Sequence, residues 1–324
     1  MKPIAIDAMG GDRAPDEIVA GALAAAASGI PIVLVGPPDL AGRGELPLIE
    51  ASEVIAMDED PAGGVRRKKD ATLVRAAEAV RDGRAGSMVS AGNTGATMAA
   101  ALLRMGRIKG VSRPAVATPI PVPGANPTIL LDAGANAEVQ PEWLVQFAQM
   151  GSVYSRHRFG RLRPLVGLLS IGEEAGKGDT LRKDAFELLS AASGIEFVGN
   201  IEGRDIMTDG VDVAVTDGFT GNVVLKTLEG GVKAILRAFD DVFDTDENRP
   251  HAEAMQASLQ PLYRTLDPDS YGGAILLGVD GVCIISHGSA GSAAILSAVN
   301  VAKEMVEHEM VEEIRAAIGL HPRS

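Results

Sequence analysis

The sequence predicts an α/β protein with a doubly wound, mostly parallel sheet and helices on both faces, as in Rossmann-like folds. Short apolar runs alternate along the chain with segments of helical periodicity, a pattern typical of βαβ units. Apolar residues make up 46% of the chain and aromatic residues only 3%, which suits a buried parallel sheet built from small aliphatic side chains. The 324 residues are therefore predicted to form a single α/β domain, 1–324.

The predicted strands are short runs rich in Val, Ile, Leu and Ala. They cover 3–8, 30–36, 53–57, 87–91, 114–118, 128–133, 164–171, 196–199, 211–217 and 281–286. Segments with helical periodicity separate most of these strands. They cover 16–27, 70–81, 94–104, 142–154, 180–191 and 219–239. This alternation predicts right-handed crossovers between parallel strands.

Two apolar stripes at helical spacing interrupt the alternation and predict an inserted amphipathic hairpin over 232–266. A charged turn at 244–250 separates them. The stripes must be buried against protein or against a membrane, and we expect a C2 homodimer. The tip is acidic, and an anionic leaflet attracts basic segments, so we expect membrane contact to be weak or to pass through a partner. The acidic residues are Asp240, Asp241, Asp244, Asp246 and Glu247.

Charge and cysteine content exclude several classes of protein. The net charge of −13 argues against nucleic-acid binding, which needs a basic surface. Cys283 is the only cysteine, so no internal disulfide forms, and its place in an apolar strand predicts an inert thiol. No signal peptide fits the N-terminal segment, and no uncharged run approaches the ~18–20 residues of a membrane span. We expect a soluble cytoplasmic protein.

The sequence contains none of the common cofactor, metal or hydrolase motifs. It has no Walker loop, no G-x-G-x-x-G after a strand, no H-E-x-x-H and no G-x-S-x-G elbow. Neither paired cysteines nor a calcium-type acidic loop occurs. We therefore expect no cofactor and no metal.

Six apolar runs end on clusters of glycine and polar residues. The clusters are 7–12, 90–95, 132–136, 170–174, 217–222 and 286–289. Parallel strands end at the same edge of a sheet, and ligands bind beyond those carboxyl ends. The sequence thus predicts that all six clusters line one crevice.

Two of these clusters open predicted helices, at Asn93-Thr94-Gly95 and at Thr220-Gly221-Asn222. Free N–H groups and the helix dipole favour anions at such positions. The alternative is that Thr94 and Thr220 only cap their helices. Because two such openings are predicted on one edge, we favour anion binding.

Cations near these clusters are few. Lys177 lies in a loop with two glycines, and Lys226 lies one helical turn beyond Asn222. The run Arg66-Arg67-Lys68-Lys69 is either a solvated face or the place where an acidic chain meets a phosphate or an acidic partner. A second basic cluster, 156–163, is interpreted as a surface loop, with docking as the alternative.

Among the five histidines, His287 alone falls at a predicted strand end. It is a candidate general acid or base, or an orienting hydrogen-bond donor. The other histidines, at 157, 251, 308 and 321, lie in polar or terminal segments.

Taken in order, these motifs resemble the bacterial phosphate acyltransferases over residues 3–300. The matching segments are 4–12 with Ala14-Pro15, 67–70, 90–95, 131–136, Lys177-Gly178, 217–222, Tyr271-Gly272-Gly273 and His287-Gly288-Ser289. The sequence departs from the family pattern at Gly291, where an acidic residue is expected. It also departs at the acidic hairpin tip, where relatives are more apolar or basic.

The resemblance implies transfer of a long fatty acyl group from acyl carrier protein to inorganic phosphate, the first step toward phosphatidic acid. It also implies that the partner at the membrane would be a membrane acyltransferase. It implies a fold similar to isopropylmalate dehydrogenases and phosphotransacetylases. Lys177, His287 and Asn222 are the predicted catalytic residues. Lys177 would stabilise charge, and His287 would orient the substrate or protonate the leaving sulfur. Asp7, Asp132 and Asp217 are expected to fix loops. The predicted substrate and phosphate residues are Gly10, Gly11, Asp12, Arg67, Lys68, Ser90, Asn93, Thr94, Gly95, Asp132, Asn136, Asp217, Gly218, Phe219, Gly221 and Lys226.

Two alternatives remain at this point. Fold analogy allows a short-chain phosphotransacetylase that uses acyl-coenzyme A. The second alternative is a non-catalytic scaffold that binds acyl carrier protein.

Overall fold

The computed structural model describes residues 1–245 and 247–319. Its strands form one eleven-stranded sheet in the order β3-β2-β1-β4-β11-β10-β5-β6-β9-β7-β8. The strands are β1 Ile4–Asp7, β2 Ile32–Gly36, β3 Leu48–Glu50, β4 Ser87–Ser90, β5 Ala115–Ile120, β6 Thr128–Leu131, β7 Leu165–Leu169, β8 Glu196–Ile201, β9 Val213–Val215, β10 Ala274–Leu277 and β11 Val282–Ile285.

The helices lie between these strands. They are α1 Asp16–Ala27, α2 Pro61–Arg67, α3 Thr72–Arg81, α4 Thr94–Ala100, α5 Pro141–Phe159, α6 Thr180–Ala191, α7 Gly218–Phe243, α8 Arg249–Leu266, α9 Ser292–Glu307 and α10 Met310–Gly319. A π-helical turn, Ala101–Met105, continues α4.

Alternate residues of each strand enter separate cores on the two faces of the sheet. In β1, Ile4 and Ile6 join the core formed with α1, α5 and α9. Ala5 points the other way, into the core formed with α3 and α4. Because both faces are covered, the strands between the two edge strands β3 and β8 are largely buried and mostly apolar. The predicted α/β class, with helices on both faces, is confirmed.

The sheet is mostly parallel, but its two halves run in opposite directions. β3, β2, β1, β4 and β11 are mutually parallel, and so are β6, β9, β7 and β8. Between them, β10 and β5 introduce three antiparallel pairings. The carboxyl ends of the two parallel sets therefore lie at opposite edges. The prediction that all six clusters line one edge is wrong.

Several element boundaries also differ from the prediction. Residues 53–57 form no strand beyond one isolated bridge, Glu53 to Ala71, and the edge strand is β3. The prediction missed β10, the short α2, and the two C-terminal helices α9 and α10. The hairpin is formed by α7 and α8. Its first helix does not start at 232, because α7 begins at Gly218, directly after β9, and runs without a break into the hairpin. Asp246 of the tip and His321 lie outside the described residues.

Candidate active site

The loops that follow β1, β4 and β11 form one group, 7–12, 90–95 and 286–289, which we call the first loop group. Their backbones interlock closely. A Cβ on Gly10 would lie 2.8 Å from the Gly92 nitrogen, and Gly11, at φ +110°, lies against the carbonyl oxygen of Gly288. The Asp12 N–H donates to that same carbonyl at 2.7 Å. Glycine is needed at position 11 because only it adopts this backbone conformation freely.

Hydrogen bonds to Asp7 and Ser90 connect the loops of this group. The Ser90 hydroxyl donates to Asp7 Oδ2 at 2.7 Å and accepts the Gly92 N–H at 3.1 Å, and the Met9 N–H reaches Asp7 Oδ1 at 3.3 Å. Burial raises the pKa of Asp7 against the effect of these hydrogen bonds. Asp7 thus fixes loops, as predicted, and Ser90 does the same.

Asn93 is also committed to internal contacts. Its Oδ1 accepts the Ala96 N–H at 3.0 Å and caps α4, while its Nδ2 donates to the carbonyls of Ala56, Met57 and Glu59 at 3.0–3.2 Å. The capping alternative is therefore realised at this helix, although by Asn93 and not by Thr94, which is exposed. A Cβ on Gly95 would lie 2.7 Å from the ring of Pro61, so glycine at this position allows Pro61 to pack closely.

His287 is exposed at the surface of the first loop group. Its Nδ1 accepts the backbone N–H of Ser289 at 3.2 Å and lies 2.8 Å from the Ser289 hydroxyl. A backbone N–H can only donate, so Nδ1 is the acceptor and the ring proton resides on Nε2. His287 thus presents an N–H donor to solvent. Asp12 is its exposed neighbour, with Oδ2 3.3 Å from the Cβ position of Gly288.

The loops that follow β6, β7 and β9 form the second loop group, 132–136, 170–178 and 216–222. Asp132 is fully buried and organises its own loop. Oδ1 accepts N–H groups from Val116, Gly134 and Ala135 at 2.9–3.1 Å, and Oδ2 accepts both the backbone and the side-chain N–H of Asn136 at 2.8 Å. Burial raises the pKa of Asp132, and these hydrogen bonds oppose the rise.

The start of α7 packs directly on this loop. A Cβ on Gly221 would lie 1.9 Å from the carbonyl oxygen of Asp132, and one on Gly218 would lie 2.7 Å from that of Asn136. Gly218 also donates its N–H to Asn136 at 2.7 Å. These two glycines therefore allow α7 to pack directly against the loop after β6. A larger residue at either position would push the helix away from that loop.

Asp217 caps α7, with Arg182 of α6 beside it. Asp217 accepts the backbone N–H and the hydroxyl of Thr220, both at 2.8 Å. Arg182 donates a hydrogen bond to the same carboxylate, and its Nη2 lies 3.1 Å from the hydroxyl oxygens of Thr216 and Thr220. Burial would raise the pKa of Asp217, but the bonds from Thr220 and Arg182 outweigh it and lower the pKa. The cap is therefore Asp217, three residues before the predicted Thr220.

Sequence reasoning missed Arg182, whose side chain is only 11% exposed. One signal was available. A cation in the first turn of a helix opposes the helix dipole, so Arg182 in the first turn of α6 needs a partner elsewhere. It pairs with Asp217, and also with Asp179, the cap of its own helix.

Three of the predicted residues in this group, Lys177, Phe219 and Asn222, are exposed, and so is Lys226, one helical turn further along α7. Lys226 forms an ion pair with Glu229 at 2.9 Å. Lys177 has no ion pair among the described residues, and its stem packs on Gly172. Near it, the buried hydroxyl of Ser170 has no hydrogen-bond partner in the part of the chain that the structure describes. The Asn222 amide lies 3.2 Å from the Cβ position of Gly134. These exposed groups are available to a ligand.

Part of the basic run 66–69 is already paired. Lys68 Nζ donates to Glu59 at 2.6 Å and to the Val54 carbonyl at 2.7 Å, and Arg67 pairs with Glu59 at 3.3 Å. Arg66 and Lys69 are exposed and have no ion pair within residues 1–245 and 247–319. In the second basic cluster, Arg158, Arg161 and Arg163 all have acidic partners.

A pocket of about 440 Å³ connects the two loop groups across one face of the sheet. Gly95 and Met98 of α4 line one side, and Asn136 lines the other. At its rim the Arg113 guanidinium lies 4.9 Å from the centre of the Trp143 ring. No hydrogen bond or ion pair between described residues links His287 to Lys177 or Asn222, so the predicted catalytic residues are divided between the two groups.

Two further observations concern metals and membranes. No group of three or more His, Cys, Asp or Glu side chains in the described residues is arranged to hold a metal ion. Within the same residues, no helix combines the length and apolar character of a membrane span. Cys283 is buried, and burial raises its pKa to about 12, so its thiol is inert as predicted.

The fold is that of the phosphotransacetylases. The EutD phosphotransacetylase from Staphylococcus aureus matches with a TM-score of 0.60 and 17% identity, covering 94% of each chain. A phosphotransacetylase from Streptococcus pyogenes matches with a TM-score of 0.61 and 16% identity, with the same coverage. At these identities the likeness concerns the fold alone.

The family is defined by sequence. A family model described as "Fatty acid synthesis protein" matches residues 2–313. Relatives named phosphate acyltransferase include those of Desulfitobacterium hafniense strain Y51, 47% identical over 97% of both chains, and Pelotomaculum thermopropionicum, 48% identical over 97% of this chain and 94% of the relative. That of Nostoc punctiforme is 43% identical over 99% and 98%. The chain belongs to this family of enzymes, and the resemblance drawn from its motifs is confirmed.

Proposed function

We propose that this enzyme transfers a long-chain acyl group from acyl carrier protein to inorganic phosphate and releases acyl phosphate and free carrier protein. The observation that carries the proposal is the near full-length identity of 43–48% to relatives named phosphate acyltransferase. The site chemistry is consistent with it. The chain's sole cysteine thiol is buried and inert, and the reaction needs no nucleophile from the protein.

Phosphate itself is the nucleophile in the proposed step. Near pH 7 the monoanion and the dianion of inorganic phosphate coexist, and the dianion is the better nucleophile. One phosphate oxygen attacks the thioester carbonyl carbon, a C–O bond forms, and the C–S bond then breaks. The electron pair of the C–S bond leaves on the sulfur as a thiolate, which takes up a proton to give a thiol of pKa about 8.5. The protein has only to position two reactants and stabilise one oxyanion.

We assign phosphate to the second loop group. Lys177 carries an exposed positive charge there, Asn222 offers an exposed amide, and the N-terminus of the 26-residue α7 adds its dipole. Arg182 and Asp217 hold that terminus in place. Proton donation by His287 requires both loop groups to act on one substrate, across the pocket of about 440 Å³ or across a homodimer.

The proposed partner, acyl carrier protein, is an acidic protein in the family that the sequence resembles. We propose that it docks on Arg66 and Lys69, the exposed cations of the basic run. We further propose a cytoplasmic homodimer in which the exposed apolar residues of the hairpin pack against a second copy.

Thiol release from palmitoyl carrier protein tests the activity. It should saturate with phosphate, and hydroxylamine should trap the product as a hydroxamate. Full thiol release without phosphate would identify a thioesterase and overturn the proposal.

Two further outcomes separate the alternatives. The phosphotransacetylase alternative, which the shared fold favours, predicts equal release from acetyl-coenzyme A. Tight carrier binding without any release would indicate a scaffold.

A further inference from the structure

A second cavity, of about 350 Å³, lies beneath the hairpin between β5, α7 and the end of α8. Its walls are almost entirely apolar. They include Ile120, Leu225, Leu228, Val232, Leu236 and Leu266. The volume falls within the range of about 300–1,000 Å³ that small-molecule sites occupy. None of these wall residues belongs to either loop group.

The cavity follows α7 away from the second loop group. The α7 residues that line it, at 225, 228, 229, 232, 233 and 236, recur at helical spacing and share one face of the helix. That face begins three residues after Asn222. With a rise of about 1.5 Å per residue, it extends from roughly 5 to 20 Å beyond Asn222 along the axis.

Polar groups are sparse in this cavity. Glu229 already pairs with Lys226 at 2.9 Å. The other charged lining residues, Lys233 and Asp267, are exposed, and Tyr263 is half-buried. The Thr118 hydroxyl is buried without a hydrogen-bond partner in the described part of the chain. A charged or strongly polar ligand would lose its hydration here without compensation. A long, apolar and flexible group fits the walls.

The cavity is distinct from the exposed apolar stripe of the hairpin. Ile235, Phe239 and Val242 are 52–59% exposed, and none of them lines the cavity. A second copy of the chain can therefore cover the stripe without occupying the cavity.

We propose that this cavity binds the fatty acyl tail of the thioester substrate, with the carbonyl at the second loop group and the chain lying along α7. The inference rests on the proposed function and names the site that selects acyl length. It makes a long chain a better substrate than a short one, because each buried CH₂ contributes about 0.8 kcal/mol, or roughly fourfold in affinity.

Val232→Trp tests this assignment by filling the cavity. We expect KM for palmitoyl carrier protein to rise at least tenfold, while KM for butyryl carrier protein stays within twofold. Thr227→Trp is the matched control, since Thr227 is exposed on the opposite face of α7, and it should leave both values unchanged. If Val232→Trp does not fold, as judged by circular dichroism, Val232→Phe should produce the same selectivity with a smaller change.

Direct binding separates this proposal from the activity. A fluorescent long-chain fatty acid should bind the wild-type chain, and Val232→Trp should weaken that binding at least tenfold, whether or not the enzyme turns over. Equal effects on long and short substrates would overturn the proposal. So would unchanged fatty-acid binding together with a shift from dimer to monomer, which would assign the cavity to a second copy.

Discussion

At the residue scale, buried carboxylates shape the candidate site by accepting hydrogen bonds. Asp132 illustrates this most fully, because both of its oxygens are used by N–H donors. In Asp132→Asn, an NH₂ group would face some of those donors. We expect the free energy of unfolding to fall by about 3 kcal/mol, the cost of leaving buried polar groups unpaired. Urea denaturation measures it.

Asp39→Asn is the control for this substitution. Asp39 is exposed, and its change should leave the urea midpoint where it is in the wild type. An Asp132→Asn protein as stable as the wild type would contradict the role given to this carboxylate.

The pair of Arg182 and Asp217 gives a prediction in pH. The folded-state pKa of Asp217 is lowered, so its ionisation stabilises the fold above its unfolded pKa of about 3.9. That stability is lost as pH falls through the lowered value. Arg182→Gln should cost about 3 kcal/mol near pH 6, because it breaks a largely buried pair.

The cost of Arg182→Gln should shrink as pH falls from 6 toward the lowered folded-state pKa of Asp217, and it should vanish below that pKa, where Asp217 is protonated in both proteins. Urea denaturation across this range measures the difference. A cost that does not vary with pH would show that Arg182 acts through packing alone.

Lys177 is the residue on which the proposed chemistry depends most. Lys177→Ala should lower kcat by about 10²–10³, the usual cost of removing one contact to a developing oxyanion. The fold should be unaffected, because the side chain is exposed in a loop. Lys183→Ala is the control, because Lys183 is an exposed lysine of α6, and it should leave kcat unchanged. A loss in Lys177→Ala of less than threefold would remove it from the site.

At the scale of elements, the end of α2 is the proposed docking face. Arg67 and Lys68 are held by Glu59, which leaves Arg66 and Lys69 for an acidic partner. Reversing both to Glu should raise KM for acyl carrier protein roughly tenfold, given exposed ion pairs of up to about 1 kcal/mol each. Added salt should weaken wild-type docking, since charges are screened beyond about 8 Å.

Lys109→Glu is the matched control for that reversal, because Lys109 is exposed outside both loop groups. It should leave KM unchanged. An unchanged KM in the double reversal would contradict docking at Arg66 and Lys69 and would favour the basic cluster 156–163 as the docking site.

At the scale of the whole molecule, the exposed apolar stripe of the hairpin is the proposed dimer interface. Phe239 and Val242 are more than half exposed, and burying such side chains is worth about 1.5–3 kcal/mol each. The double substitution Phe239→Asp and Val242→Asp should convert the proposed dimer into a monomer in sedimentation equilibrium. Leu162→Asp, at a residue 83% exposed elsewhere, should not.

The same hairpin should bind anionic vesicles only weakly. The described part of its tip carries Asp240, Asp241, Asp244 and Glu247, whereas an anionic leaflet favours basic residues by about 1 kcal/mol each. Strong flotation of the wild type that is lost in the double substitution would instead make the stripe a membrane anchor.

The sequence by itself determined the fold class, most strands and the family. Strand and helix periodicity depend on which side chains meet the core, and that pattern is local. The same holds for the loop-fixing roles of Asp7, Asp132 and Asp217, since a carboxylate directly after a buried strand meets the N–H groups of its own turn. Clusters such as 217–222 and 286–289 carry the family resemblance because their glycines permit close backbone approach.

Only the tertiary structure decided how these parts combine. The prediction missed β10, which is one of the central strands through which the direction of the sheet reverses. Without that reversal, the prediction placed both loop groups at one edge of the sheet. Arg182 and Asp217 are 35 residues apart, and the apolar cavity joins β5, α7 and α8. Such contacts depend on chain direction and packing between distant segments, which no local pattern records.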